Sequence, residues 1–199
     1  MRFSDFYQHF SKQERPPVRV QELVDVIKLR HPRVGSVTVF PVDFGKPTGQ
    51  AHYRMIDMDR TSAYEDEFGD VEISYCVSLD DDPLQRRYAL AKELMHVFDS
   101  REQLVDSREK FVAFLREIQN KPISGPSPAI QSEYDTRWMA VVVLCPKDLR
   151  DARLEAYRSG QLEDFDLAEE FRIPEWVVPF VMDDYYEEAF ALLMNGKPT

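Results

Sequence analysis

Arg87-Tyr-Ala-Leu-Ala-Lys92-Glu93-Leu-Met-His96-Val-Phe-Asp99 is the stretch on which the reading of this chain turns. With the residues just before it, it places Leu84, Tyr88, Ala91, Met95 and Phe98 on one helical face and Leu90, Leu94 and Val97 on another. A helix apolar on two faces is buried in the centre of a domain rather than laid on its surface. Its start is marked by Asp82 as cap, Pro83 at the first position and Gln85 where a capping box needs it. The same helix carries Lys92, Glu93 and His96, which taken alone read as two ordinary surface residues and a partly buried histidine.

Working outward, a helix and three candidate strands are read upstream, and the residues downstream repeat at helical spacing. Val20, Leu23, Val24 and Ile27 predict a helix over 20–30, stopped at His31 because Pro32 disfavours helical geometry in the residue before it. The β-branched run at 36–40, bounded by Gly35 and Pro41, reads as a strand, as do 52–58 and 71–79, with an acidic loop at 64–70 between them. After the central helix, further helices are expected at about 103–118, 129–144, 148–158, 162–171 and 174–194, with a proline-containing loop at 121–128. The fold class is therefore α+β, a small antiparallel or mixed sheet early in the chain and helices packed on it. No repeat or composition break divides the chain, so 1–199 is read as one domain with a core at about 20–186, a lead-in at 1–19 and a flexible tail at 195–199.

The 199 residues are 43% apolar and 31% charged, ordinary globular usage. The net charge of −11 repels phosphate, which argues against direct nucleic-acid binding. It suits a basic protein partner, and a DNA mimic would rest on this charge alone. Cys76 and Cys145 lie in apolar runs, as free thiols do in a reducing compartment. The N-terminus lacks a signal-peptide core, and no apolar run reaches the about 18 residues that a bilayer span requires. These features predict a cytoplasmic protein without a membrane partner.

The central segment resembles the Arg-Phe-Thr-Leu-Ala-His-Glu-Leu-Gly-His signature of the ImmA/IrrE metallopeptidase family. A second segment, Glu133-Tyr-Asp135-Thr-Arg-Trp-Met-Ala-Val-Val-Val-Leu-Cys-Pro146, is similar to that family's Glu-x-Glu-Ala-Asn-x-Phe-Ala-Ala-x-Leu-Leu-Met-Pro helix. Leu167-Ala-Glu-Glu-Phe-Arg-Ile-Pro looks like its closing Leu-Ala-x-x-Phe-x-Val-Ser. The resemblance covers roughly residues 20–186, and it implies a zincin. In H-E-x-x-H, two histidines four apart project from one helical face onto a zinc ion, and the glutamate between them polarises the bound water. The resemblance then gives Glu93 the catalytic position and His96 a metal-ligand position. Asp135 takes the acidic ligand position, with Glu133 as its fallback.

The departures decide the expected chemistry. Lys92 stands where the first histidine belongs, and a lysine amine, with an ordinary pKa of about 10.4, is protonated near neutrality and serves zinc badly. Met95 replaces a glycine and is expected to crowd the approach. An ammonium at the vacated position could instead lie where the zinc charge was and pair the carboxylates left behind. No cofactor is expected on this reading; Zn²⁺ belongs to the alternative, in which His52, Asp99 or Glu133 completes an unusual ligand set. Asp99 reads as a substitute ligand, a carboxylate orienting His96, or an ordinary residue in the turn ending the helix. Glu133 and Arg137, four apart, would ordinarily be a surface helix pair. The family acts with helix-turn-helix repressors, so the resemblance implies a protein partner of that kind, and a regulatory rather than catalytic role for a degenerate member.

Overall fold

The computed structural model describes residues 1–45, 50–57, 69–100, 102–105, 108–119 and 125–195. It has α+β architecture. The elements run α1 (Phe3–Phe10), α2 (Val20–Arg30), β1 (Val34–Val42), β2 (Ala51–Asp57), β3 (Gly69–Cys76), α3 (Pro83–Leu94), α4 (Arg108–Gln119), α5 (Pro128–Leu144), α6 (Lys147–Arg158), α7 (Asp164–Phe171), α8 (Val178–Met182) and α9 (Tyr185–Asn195). Single 3-10 turns occupy Val77–Asp81, Met95–Phe98 and Glu175–Val177.

The sheet is mixed. Its strand order is β1-β3-β2, with β3 parallel to β1 and antiparallel to β2. Val71 and Ile73 of the central strand are buried, and α3 packs against β2 and β3 on one side and α5 on another. Ala91, Leu94 and Met95 are wholly buried, as the two apolar faces of this segment require. The Asp82 carboxylate accepts from the Gln85 backbone amide at 2.9 Å and Pro83 opens the helix, as predicted, but the Gln85 side chain bonds Gln50 and Trp176 instead of closing the expected capping box. Met95 is wholly buried in this core.

Other expectations are corrected as well. The first nineteen residues are more than a lead-in: α1 buries Phe3, Phe6, Tyr7 and Phe10, and Phe3 and Phe6 pack their rings on Phe98 at 5.6 and 5.2 Å. The third strand ends at Cys76, not at residue 79, because the chain tightens into the turn at Val77–Asp81. The expected helix at 174–194 is broken, since Asp183 is extended and its carboxylate caps the Tyr185 amide at 2.7 Å to start α9 afresh. The segment read as a helix from 103 begins at Arg108. Met58, most of the acidic loop, residues 121–124 of the proline loop and residues 196–199 of the tail lie outside the described residues. Cys76 and Cys145 are free and buried. Among the described residues, no helix is long and apolar enough to cross a membrane.

Helix α5 carries Ser132 and Glu133 to the polar side of α3. Its start is set by Ser127, whose hydroxyl accepts from the Ile130 amide at 3.3 Å, with Pro128 at the first position. Ser127→Ala is expected to lower stability by about 1 kcal/mol, the usual value of such a cap, measurable by chemical denaturation.

Candidate functional site

The α-helix ends at Leu94, and the chain tightens at Met95–Phe98, so His96 sits two residues past the α-helix carrying Lys92 and Glu93. The four-residue spacing still brings Lys92 and His96 together. The Lys92 ammonium lies 3.0 Å from Glu93 Oε1, 2.7 Å from Glu133 Oε2 and 3.3 Å from His96 Nε2. Three acceptors thus meet the three N–H donors of one ammonium. The group is shielded: the side chains of Lys92 and Glu93 are 14% and 10% exposed, and that of Glu133 is 30% exposed.

Charge compensates for that shielding. Burial alone would lower the Lys92 pKa, but the charges of Glu93 and Glu133, with the hydrogen bonds to them, outweigh it and hold Lys92 above the ordinary lysine value. The mirror effect acts on Glu133: burial would raise its pKa, and the Lys92 charge and hydrogen bond pull it below the ordinary glutamate value. Both directions describe a formed ion pair.

The far side of the imidazole is held as firmly. Asp99 Oδ2 lies 2.8 Å from His96 Nδ1, and the buried Ser132 hydroxyl lies 2.8 Å from both Asp99 oxygens and 3.2 Å from Nδ1. A carboxylate only accepts, so it places the ring proton on Nδ1 and leaves Nε2 to accept from Lys92. Asp99 is therefore a carboxylate orienting His96, and its side chain faces away from the ammonium. Serine, histidine and aspartate lie together here without forming a hydrolase triad. Such a triad puts serine and acid on opposite ring nitrogens, whereas Ser132 and Asp99 share Nδ1.

The acidic position is resolved between its two candidates. Glu133 faces the site, with Oε1 3.6 Å from His96 Nε2. Asp135 is turned instead to the Gln131 and Gln103 side-chain amides, at 2.8 and 3.4 Å. Two residues along an α-helix rotate a side chain by about 200°, so only one of the pair can face His96. His52 is exposed on β2, while its neighbour Tyr53 stacks obliquely on the His96 ring at 5.5 Å between centroids. Adjacent strand residues point to opposite faces, so Tyr53's presence there turns His52 away. Sequence reasoning missed Ser132 and Tyr53. Each adjoins a residue that was singled out, Glu133 and His52, and only the crossing of helix and strand shows which neighbour points inward.

The zinc ion implied by the resemblance does not fit this set. One imidazole nitrogen and the Glu133 carboxylate converge, but the third ligand position is an ammonium already bonded to both and to Glu93. A dication among these groups would lie beside that positive charge, or require Lys92 to lose its proton. Among the described residues, no group of three or more His, Cys, Asp or Glu side chains is arranged to hold a metal ion. No family model, curated protein or solved structure matches this chain.

Proposed function

We propose that the chain is a zincin-like domain of the ImmA/IrrE kind in which the Lys92 ammonium stands in for the metal charge, and that it acts by binding a protein partner rather than by zinc-dependent hydrolysis. The observation that carries the reading is the closed ring around the ammonium, with Glu93, Glu133 and His96 each within 3.3 Å of it. An ammonium balances the carboxylates as a metal would, but has no open coordination position at which to polarise a water or a carbonyl. Glu93, the general base by resemblance, accepts from the Lys92 ammonium at 3.0 Å, and this bond holds its carboxylate in the ion pair. The partner class follows from the resemblance and from charge. Helix-turn-helix repressors are basic on their DNA-binding face, and a surface of net charge −11 complements that face.

The test is the zinc content of the purified protein after dialysis against a mild chelator. The expected result is far less than one zinc per chain. Stoichiometric zinc would overturn the reading and favour a peptidase that uses His96 and Glu133 with a displaced Lys92.

A further inference from the structure

At the other end of α3 lies an open groove of about 490 Å³, lined by Asp82, Leu84, Asp164, Pro174, Glu175 and Trp176, with Gln85 at its base. Ten residues of helix separate Asp82 from Lys92, a rise of about 15 Å, so this groove is distinct from the ammonium site. Its most prominent feature is an aromatic surface left open. Trp176 and Phe180 are 53% and 55% exposed and touch ring to ring at 6.4 Å. The indole is nevertheless fixed, because its N–H donates to Gln85 Oε1 at 2.9 Å and its ring meets Tyr88 edge-on at 5.4 Å. Holding a large aromatic side chain rigid while half of it faces solvent keeps the ordering cost of binding low.

Charge indicates what covers it. Asp82, Asp164 and Glu175 line the groove with the indole, and among the described residues no basic side chain lines it. Among the described residues, none of the three carboxylates has an ion-pair partner. Asp82 caps α3, Asp164 accepts from the Tyr157 hydroxyl at 2.7 Å, and Glu175 is exposed. A guanidinium is the group that satisfies both halves of this surface, stacking on an indole face while its N–H fork meets carboxylates at the rim. We infer that this groove docks an arginine-bearing segment of a protein partner, the arginine lying on Trp176 between Glu175 and Asp164 and apolar neighbours of that segment covering Phe180. The groove shares only the acidic surface with the zincin-like reading, so a zinc-loaded protein with a working groove would overturn that reading and leave this one standing.

The experiment follows the indole N–H resonances of Trp176 and Trp138 while the protein is titrated with an amidated peptide alternating leucine and arginine, and separately with its leucine–glutamate counterpart. The arginine peptide is expected to move the Trp176 resonance and leave Trp138 in place, and the acidic peptide to move neither. Glu175→Gln with Asp164→Asn, which keeps an acceptor for Tyr157, should weaken binding about tenfold. Glu155→Gln with Glu188→Gln, removing two exposed charges outside the groove, should leave affinity within about twofold. Equal losses from the two pairs would reduce the effect to general attraction by an acidic protein and overturn the proposal. So would a Trp176 resonance that does not move, or one that moves no more than that of Trp138.

Discussion

Lys92→Met is expected to destabilise the protein by about 2–3 kcal/mol at neutral pH, below the about 3–5 kcal/mol that breaking a fully buried ion pair costs, because Glu133 is partly exposed. For a chain of this length, that loss corresponds to a fall in melting temperature of about 4–12 °C. Methionine fills much of the lysine stem's space, so lost packing contributes little. The cost arises because Glu93 and Glu133 are left facing each other without a cation. Glu133→Gln in the same background should therefore recover part of the loss, which a defect of packing would not allow. The pH dependence has a definite sign. Glu133 titrates below its ordinary value of 4.5 in the folded protein, so its contribution is present above that value and disappears as pH falls through the lowered one. Lys92 titrates above 10.5, so its contribution is present below that value and disappears as pH rises through the higher one. The gap between wild type and Lys92→Met should be widest on the plateau between these limits and should narrow outside them. Melting curves across pH check both points. A variant as stable as wild type at neutral pH would mean that the ammonium does not hold the site together.

Much of this site could be read from residue spacing, because one helix dominates it. The cap at Asp82, Pro83 and the two apolar stripes identify α3, and the four-residue step from Lys92 to His96 survives even though the chain narrows to a 3-10 turn between them. What could not be read was set by how separate elements cross. Glu133 and Asp135 are equally acidic and two residues apart, and the angle at which α5 meets α3 chooses between them. Tyr53 against His52 is the same problem on a strand. The misread N-terminus has a different cause. Phe3, Phe6, Tyr7 and Phe10 repeat at helical spacing in plain view, but eight residues are too few for a helix to be stable alone. Its stability comes from the rings of Phe98 and Phe190, which are distant in the chain. Likewise, Asp183 carried a capping signal inside a run of apolar residues that reads as continuous until the chain is seen to turn.

Lys92→His should convert the ammonium site into one that binds zinc, and this variant tests the arrangement most directly. It places two imidazoles four residues apart, with Glu93 between them and Glu133 Oε1 already 3.6 Å from His96 Nε2. Zinc–ligand bonds of about 2.0–2.2 Å can bridge such a gap with small side-chain shifts. Asp99 and Ser132 already orient His96 through Nδ1, support that a tight site needs and a grafted one usually lacks. Without metal, the variant should melt below wild type, because Glu93 and Glu133 have lost their cation. Adding zinc at about 100 times its dissociation constant should restore about 2.7 kcal/mol, a rise of roughly 5–11 °C, while wild type should not respond. The two acidic candidates then separate cleanly. Lys92→His with Glu133→Ala should lose the zinc response, and Lys92→His with Asp135→Ala should keep it, since Asp135 is turned to Gln131 and Gln103. Affinity should return before any hydrolysis, because binding needs three ligands, whereas catalysis also needs Glu93 freed to work on a metal-bound water. A zinc response lost with Asp135 and kept without Glu133 would reverse the placement of the two carboxylates. No zinc-dependent rise in Lys92→His itself would mean that the groups around the ammonium cannot close on a metal, and the zincin likeness would fail at its centre.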